Sequence, residues 1–378
     1  MNKNIQYKKL TDICEIITGE WGTEIKENSQ NIVSVIRTTN FLNNGKIDIQ
    51  NKELVKREMD KNKIEQKKLK KGDIIIEKSG GSPNQPVGRV VFFNLNSNDI
   101  FLCNNFTSIL RIKEKINSKY IFYFLRNSYK NNKVLKFQNK TTGIINLKLQ
   151  DYLNGSCIYL PELRIQNKVV NILDILESIL EKNQNYLNYL KELTKSLFTK
   201  YSDSKIVKSF YIKDISSELF AGGDKPNDYS ETTSKEYIYP VYSNGEKKEG
   251  LLCFSKTFKV DKEALTISAR GTIGFTVIRK ACFTPVVRLI TLIPNKNNNI
   301  IYLKYAIEEL NLKKLGSGVA QLTIPVFSKY KLNLPPIELQ NKFAERIEKI
   351  EKLKFEIEKS IEESQKLYNS LISKYFDN

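Results

Sequence analysis

Along residues 166–201 the apolar side chains recur at Val169, Ile172, Leu176, Ile179, Tyr186, Leu190, Leu193 and Leu197, alternating three and four apart once Asn183 is admitted at the missing position. A seam held over four heptads predicts one long amphipathic helix, with Leu173, Leu180 and Leu187 widening its apolar face on one flank. Pro161 stands just before the run and Tyr201-Ser-Asp-Ser204 closes it. A second run places Phe343, Ile347, Ile350, Ile357, Ile361, Tyr368, Leu371 and Tyr375 at the same kind of spacing, after Pro335 and Pro336. Each run predicts a helix of about 36 residues, about 54 Å long at 1.5 Å per residue. Two such helices satisfy each other most simply as an antiparallel pair. Asn183 would then face the middle of its partner, near Ile357, where a buried Asn fixes register. The helix-pair or partner interface is expected to use Gln166, Val169, Leu176, Asn183, Leu190, Leu197, Gln340, Phe343, Ile350, Ile357 and Leu371.

The remaining sequence has a different texture. Short β-rich runs alternate with turns of Gly, Asn and Pro: Ile74–Ile76, Val90–Phe93, Ser108–Ile112, Ala264–Ser268, Thr276–Ile278 and Val287–Ile293. Helical pieces at Ser118–Asn127 and Ile301–Leu310 intervene, which gives an α+β domain with curled antiparallel sheet.

The pattern occurs twice. Leu160-Pro-Glu-Leu-Arg-Ile-Gln-Asn-Lys168 returns as Leu334-Pro-Pro-Ile-Glu-Leu-Gln-Asn-Lys342, and the register holds without a gap to Asp203 and Asp377, with 12 of 44 residues identical. Leu10–Gly19 resembles Ile212–Gly222, Asp73–Gly81 resembles Ala264–Thr272, and Gly143–Leu147 resembles Gly318–Leu322. An offset of 174 residues is too long for a solenoid repeat, so a domain and its tail have been duplicated in tandem. The boundaries read as a first variable domain over 1–157, a helical segment over 158–203, a second variable domain over 204–332 and a second helical segment over 333–378. The fold class is therefore α+β, two homologous domains separated by two long helices in an antiparallel coiled coil with pseudo-twofold symmetry.

Charge sharpens this division. The chain has 378 residues and a net charge of +19, from 61 Lys and Arg against 42 Asp and Glu. Residues 1–160 carry +12 and 204–332 carry +8, whereas the two helical segments together carry −1. The basic surplus belongs to the variable domains, and a polyanion such as nucleic acid is the partner it favours. There is no histidine, which excludes Ser-His-Asp and Cys-His nucleophile systems and His-ligated metals. The five cysteines are scattered without a C-x-x-C pair, so neither a disulfide framework nor a cysteine zinc site is expected, and a reducing, cytoplasmic setting fits. No secretory signal or membrane-length apolar run is visible. No P-loop and no Asn/Asp-Pro-Pro-Tyr/Phe target-base motif occurs, and Asp73 with Glu77-Lys78 lacks the Glu-x-Lys spacing of Asp…Glu-x-Lys nuclease sites. No catalytic or metal-ligating residue is expected in this chain.

Candidate base readers lie on the glycine-rich turns. Lys78-Ser-Gly-Gly-Ser-Pro-Asn-Gln-Pro86 supplies Lys78, Ser79, Asn84 and Gln85, with Arg89 just beyond, and Ser268-Ala-Arg-Gly-Thr272 supplies Ser268, Arg270 and Thr272. Arg37 and Asn40, Ser243 and Asn244, and Gln321 complete the set. Such turns bring backbone N–H groups close to phosphate, and Arg, Asn and Gln carry the bidentate geometry that distinguishes guanine and adenine edges. The lysines of 61–71 read better as a solvated face or phosphate contacts.

With these residues in view the chain resembles the specificity subunit of a type I restriction–modification system. Leu-Pro-x-x-x-x-Gln at 160–166 and 334–340, Gly72-Asp-Ile-Ile-Ile-Glu-Lys-Ser-Gly80, Ile267-Ser-Ala-Arg-Gly-Thr-Ile-Gly274 and Tyr239-Pro-Val-Tyr-Ser-Asn-Gly245 carry the resemblance over essentially the whole chain. The family usually has Glu before that Gln, where this chain has Ile165 and Leu339. The resemblance implies two target recognition domains, each reading half of a bipartite site in double-stranded DNA, with the helices as spacer and the readers roughly one DNA turn apart, about 34 Å. It implies two modification subunits that methylate adenine with S-adenosylmethionine, and restriction subunits that translocate and cut DNA using ATP and Mg²⁺. Those cofactors belong to the partners, none to this chain. The competing expectation is a basic coiled-coil nucleic-acid-binding scaffold without restriction–modification partners.

Overall fold

The computed structural model describes residues 7–82, 85–141, 144–203, 206–310, 312 and 321–377. Helices of ten residues or more among them are α1 (Ser118–Lys130), α2 (Leu163–Ser202), α3 (Ile300–Glu309) and α4 (Ile337–Phe376). The long helices α2 and α4 reach 40 residues each, about 60 Å of helix. The chain divides into two compact units, one of residues 1–182 with 361–378 and the other of 183–360. The division falls inside both long helices rather than at their starts, so each unit owns half of α2 and half of α4.

Unit 1 is built on a four-stranded antiparallel sheet in the order Cys14–Thr18, Thr107–Ile112, Ile74–Glu77, Val90–Phe92. The strand Ile74–Glu77 is buried at every position, which explains why it reads as an unbroken apolar run instead of alternating. Ile74 and Ile76 face Leu110 and the helix α1, whereas Ile75 packs with Val91, Ile109 and Ile36 on the other face. A smaller sheet pairs Ile32–Ile36 antiparallel with Val55–Glu58 and parallel with Phe101–Cys103.

Unit 2 repeats this plan strand for strand. Its four-stranded antiparallel sheet runs Ser216–Ala221, Ile290–Pro294, Ala264–Ile267, Thr276–Arg279, and its smaller sheet pairs Tyr239–Tyr242 antiparallel with Leu251–Ser255 and parallel with Thr284–Pro285. The run expected to be strand from Val287 begins only at Ile290, because Val287 and Arg288 adopt left-handed φ values of 53° and 59°.

The helix starts show the duplication at atomic detail. In unit 1 the Asn117 side chain caps α1 by accepting from the backbone of Lys119 and Tyr120. Gln166 donates to Pro161 O at 2.7 Å and accepts from Asn117 N at 2.9 Å. In unit 2 Asn299 caps α3 in the same way, and Gln340 donates to Pro335 O at 2.9 Å and accepts from Asn299 N at 2.9 Å. Gln166 and Gln340 therefore fasten each long helix to its own domain's helix cap, so of the expected helix-pair or partner interface these two are spent within their own unit.

Within unit 2 Asn183 donates to Ser360 at 3.0 Å, while Phe198 and Tyr201 further along α2 pack on Phe343. Rising numbers on α2 meet falling numbers on α4, so the pair is antiparallel, and Asn183 meets the residue one turn past Ile357. Leu190, Leu197, Phe343 and Ile350 join the core of this unit, and Ile357 is half-buried. In unit 1 Val169, Leu176 and Leu371 join the core with Tyr368 and Phe376. The buried stripe of α2 uses Leu173 and Thr194 instead of the expected seam position Leu193, and half-buried Leu187 in place of Tyr186; Tyr186 and Leu193 are exposed.

Candidate nucleic-acid interface

In unit 2 five loops converge and are stitched to one another. The turn after Ser216–Ala221 brings Gly222 and Gly223 against the segment 285–288, where Val287 N donates to Gly223 O at 2.7 Å and Arg288 N to Gly222 O at 2.9 Å. No side chain fits there: a Cβ on Gly222 would lie 2.6 Å from Pro285 C and 2.7 Å from Pro285 O. Asn244 bridges two further loops, donating to Val287 O at 2.7 Å and accepting from Ala269 N at 2.7 Å. Ser268 is buried and accepts from Gly245 N at 3.2 Å. Leu322 N donates to Ala269 O at 2.8 Å. Arg270 donates through Nε and Nη2 to Gln321 Oε1, at 3.1 and 2.7 Å, on the exposed rim.

Unit 1 builds the same rim. Gly19 lies so close to the 103–107 loop that a Cβ would stand 2.0 Å from Asn104 O. Lys78 N and Ser79 N both donate to Phe106 O, at 2.9 and 3.2 Å, and Leu147 N donates to Lys78 O at 2.8 Å. Asn104 N donates to Ile36 O at 3.1 Å. Lys78 and Ala269 thus receive equivalent bonds, in the register of the sequence repeat. Burial pushes the Lys78 ammonium below the usual lysine range. At the edge of this rim Glu20 accepts from Lys67 at 2.6 Å and Lys63 at 3.0 Å, and those bonds hold its carboxyl below the usual range.

The expected readers separate into two groups. Asn244, Ser268, Arg270 and Gln321 come together in unit 2, with Ser243 half-buried beside them and the Thr272 hydroxyl buried without a partner among the described residues. Lys78 and Ser79 lie on the rim of unit 1, Gln85 is exposed beyond it, and Asn84 lies outside the described residues, as do Gly143 and Gly318 of the repeat. Two expectations need correction. Asn40 is fully buried: it accepts from Arg37 N and donates to Asp48 O and Lys52 O, so its whole hydrogen-bonding capacity ties down its own loop. Arg89 is held bidentate by the buried Glu77 at 2.9 and 3.0 Å and donates to Thr38 O. Asn40 has no donor left for a base, and the Nε–Nη2 edge of Arg89, the edge a bidentate contact would use, is taken by Glu77 and Thr38 O. Arg37 is intermediate, with its Nε buried and unbonded among the described residues.

Sequence reasoning missed Asn105, Phe106, Val287 and Arg288, all exposed on the two rims. Their signal was positional. Each precedes the central strand of a duplicated sheet, opposite a glycine shared by both repeats.

Two α+β units of one plan, each carrying a stitched rim of polar and glycine-rich loops and half of a long helix pair, define a duplicated recognition scaffold. Among the described residues no cluster could hold a metal ion, and no helix is long and apolar enough to cross a membrane. The chain belongs to the family of the type I restriction modification DNA specificity domain, whose model matches residues 2–192 and 205–366. A protein of Mycoplasma pneumoniae named as a type I specificity subunit is 31% identical over 268 residues, 65% of this chain and 77% of that protein. The MjaX specificity subunit of Methanocaldococcus jannaschii is 25% identical over 378 residues, 92% of this chain and 87% of that one. Among solved structures, the type I restriction-modification S subunit from M. genitalium shares the fold with a TM-score of 0.65, covering 100% of this chain and 97% of that one at 15% identity.

Proposed function

We propose that this chain is the non-catalytic DNA-reading subunit of a type I restriction–modification complex, in which each unit reads one half of a bipartite double-stranded site through its loop rim. The observation that carries the reading is the duplicated rim: two sets of loops, stitched by equivalent hydrogen bonds, on the two domains that hold the basic surplus. Rigid turns supply backbone N–H groups for phosphate and fixed side chains for base edges. The long helices offer modification subunits a surface of near-neutral charge, with Tyr186, Tyr189 and Phe355 exposed on it. Adenine methylation with S-adenosylmethionine, and cleavage with ATP and Mg²⁺, are then partner chemistry; the partner extrudes the adenine while this chain holds the register.

The test is sequencing of the host genome with base-modification detection, with and without the gene. Loss of adenine methylation at one split motif, two short halves with a fixed gap, is the expected result. An unchanged pattern in cells that express the protein would favour a basic nucleic-acid-binding scaffold without such partners. Exchanging residues 1–155 for those of a related chain should change one half of the motif and leave the other intact.

A further inference from the structure

We infer that Arg288 is the principal base-reading side chain of unit 2 and that it reads a guanine in the half-site of this unit. The inference rests on the DNA-reading role proposed above. Residues 204–332 contain three arginines, Arg270, Arg279 and Arg288. Arg279 is buried, donating to Thr266 Oγ1 at 3.0 Å and paired with Glu249. Arg270 is held by Gln321 through two donors. Arg288 alone of the three is exposed with a side chain that makes no hydrogen bond, ion pair or ring contact among the described residues.

Its backbone is anything but free. Val287 and Arg288 are consecutive left-handed residues, a conformation that costs a non-glycine residue and above all a β-branched one. Three bonds enforce it: Val287 N to Gly223 O, Arg288 N to Gly222 O, and Asn244 Nδ2 to Val287 O. A fixed backbone beneath an unbonded guanidinium is what bidentate recognition of guanine O6 and N7 requires, since the fork must arrive at one angle. A phosphate contact needs charge only, which the flexible lysines of this basic chain already provide. The equivalent tip of unit 1 carries Asn105 and exposed Phe106 instead, so the two rims present different chemistry on the same frame.

The experiment selects a randomised double-stranded DNA pool on the full chain, purified from its host with the subunits that accompany it. Wild type, Arg288→Lys, Arg288→Ala and Asn244→Asp are compared. Wild type should enrich a split motif with a G·C pair in one half. Arg288→Lys keeps the charge and loses the fork, so that position should relax and affinity for the wild-type motif fall roughly 5- to 150-fold, with binding to unrelated duplex unchanged. Asn244→Asp keeps the bond to Ala269 and loses the donor to Val287 O; it should relax the same position more weakly, which a side chain acting only by charge would not cause. The Arg288 side chain is exposed and makes no bond among the described residues, and its backbone bond to Gly222 O survives substitution, so both Arg288 variants should melt with the wild type. A Lys variant that selects the motif with full stringency, or an Ala variant that weakens all sequences alike, would mark a phosphate contact and overturn the inference. If wild type enriches no split motif, the DNA-specificity reading itself fails, and the inference with it.

Discussion

At the scale of single residues, the rims depend on positions where nothing larger fits. A methyl group on Gly222 would collide with Pro285 and Val286 backbone, and one on Gly19 with Asn104 O, so either strand or loop must retreat. Overpacking of this kind costs about 1–3 kcal/mol. Gly222→Ala should therefore lower the denaturation midpoint and degrade recognition in one half-site, and Gly19→Ala should do the same for the other; modified-base sequencing of each variant separates the two. Equal damage to both halves by one variant would show that the glycines act on global stability instead. Val287→Gly tests the stored strain. It relieves a left-handed β-branched residue while loosening the tip, so stability should hold or rise by up to about 1 kcal/mol while discrimination in that half falls. These glycines were legible because they recur in both repeats. The roles of Asn40 and Arg89 were not, because a polar side chain announces its type but not its partner. Arg89 is claimed by Glu77, 12 residues away, and Asn40 by carbonyls at 48 and 52.

At the scale of elements, the two long helices were the most legible part of the chain, and their facing the least. Heptad spacing is unmistakable over four heptads, yet α2 carries further apolar residues beside its seam, and periodicity cannot choose between them. Tertiary neighbours choose. The domain helix α1 packs beside α2 in the core of unit 1, so Leu173 is fully buried there while Tyr186 and Leu193 face outward. Leu173→Ala should cost about 2–5 kcal/mol, whereas Leu193→Ser should stay within about 0.5 kcal/mol, measured by denaturant unfolding. The same junction holds a polar network. Arg126 pairs with Glu177 and donates to Tyr368 Oη at 2.7 Å, while Tyr123 donates to Asp174 at 2.6 Å. Burial, then the Glu177 charge, push the Tyr123 phenol well above its usual range, so it stays a neutral donor at any working pH. Removing the guanidinium with Arg126→Met would leave the half-buried Glu177 without its cation, its remaining donors being the hydroxyls of Tyr368 at 3.1 Å and Tyr123 at 3.3 Å. That should cost about 3 kcal/mol, near the lower bound for breaking a buried pair. A loss within about 0.5 kcal/mol would mean that solvent already serves Glu177.

At the scale of the whole molecule, duplication has not made the two units equivalent in how they fold. Unit 2 is one continuous stretch, 183–360, and the residues of its main core all lie within it. Unit 1 is interrupted: its core takes Tyr368, Ile372 and Phe376 from the last turns of α4, with the Phe376 ring 4.8 Å from Tyr120 and Asp377 accepting from Asn127 at 2.7 Å. Contacts between residues some 250 positions apart form late, because the intervening loop must first be closed. A chain ending at residue 360 should therefore keep unit 2 and lose unit 1. Deleting three buried side chains, two of them aromatic and the phenylalanine worth about 3–5 kcal/mol by itself, removes most of the 5–15 kcal/mol that stabilises a typical domain. Hydrogen exchange provides the readout. Amides of Ile74–Glu77 and Thr107–Ile112 should lose protection while those of Ala264–Ile267 and Ile290–Pro294 keep theirs. Phe376→Ala in the full chain should show the same polarity in milder form. Loss spread evenly over both sheets would instead mean that the units fold as one cooperative body, and that the division within α2 and α4 carries no thermodynamic boundary.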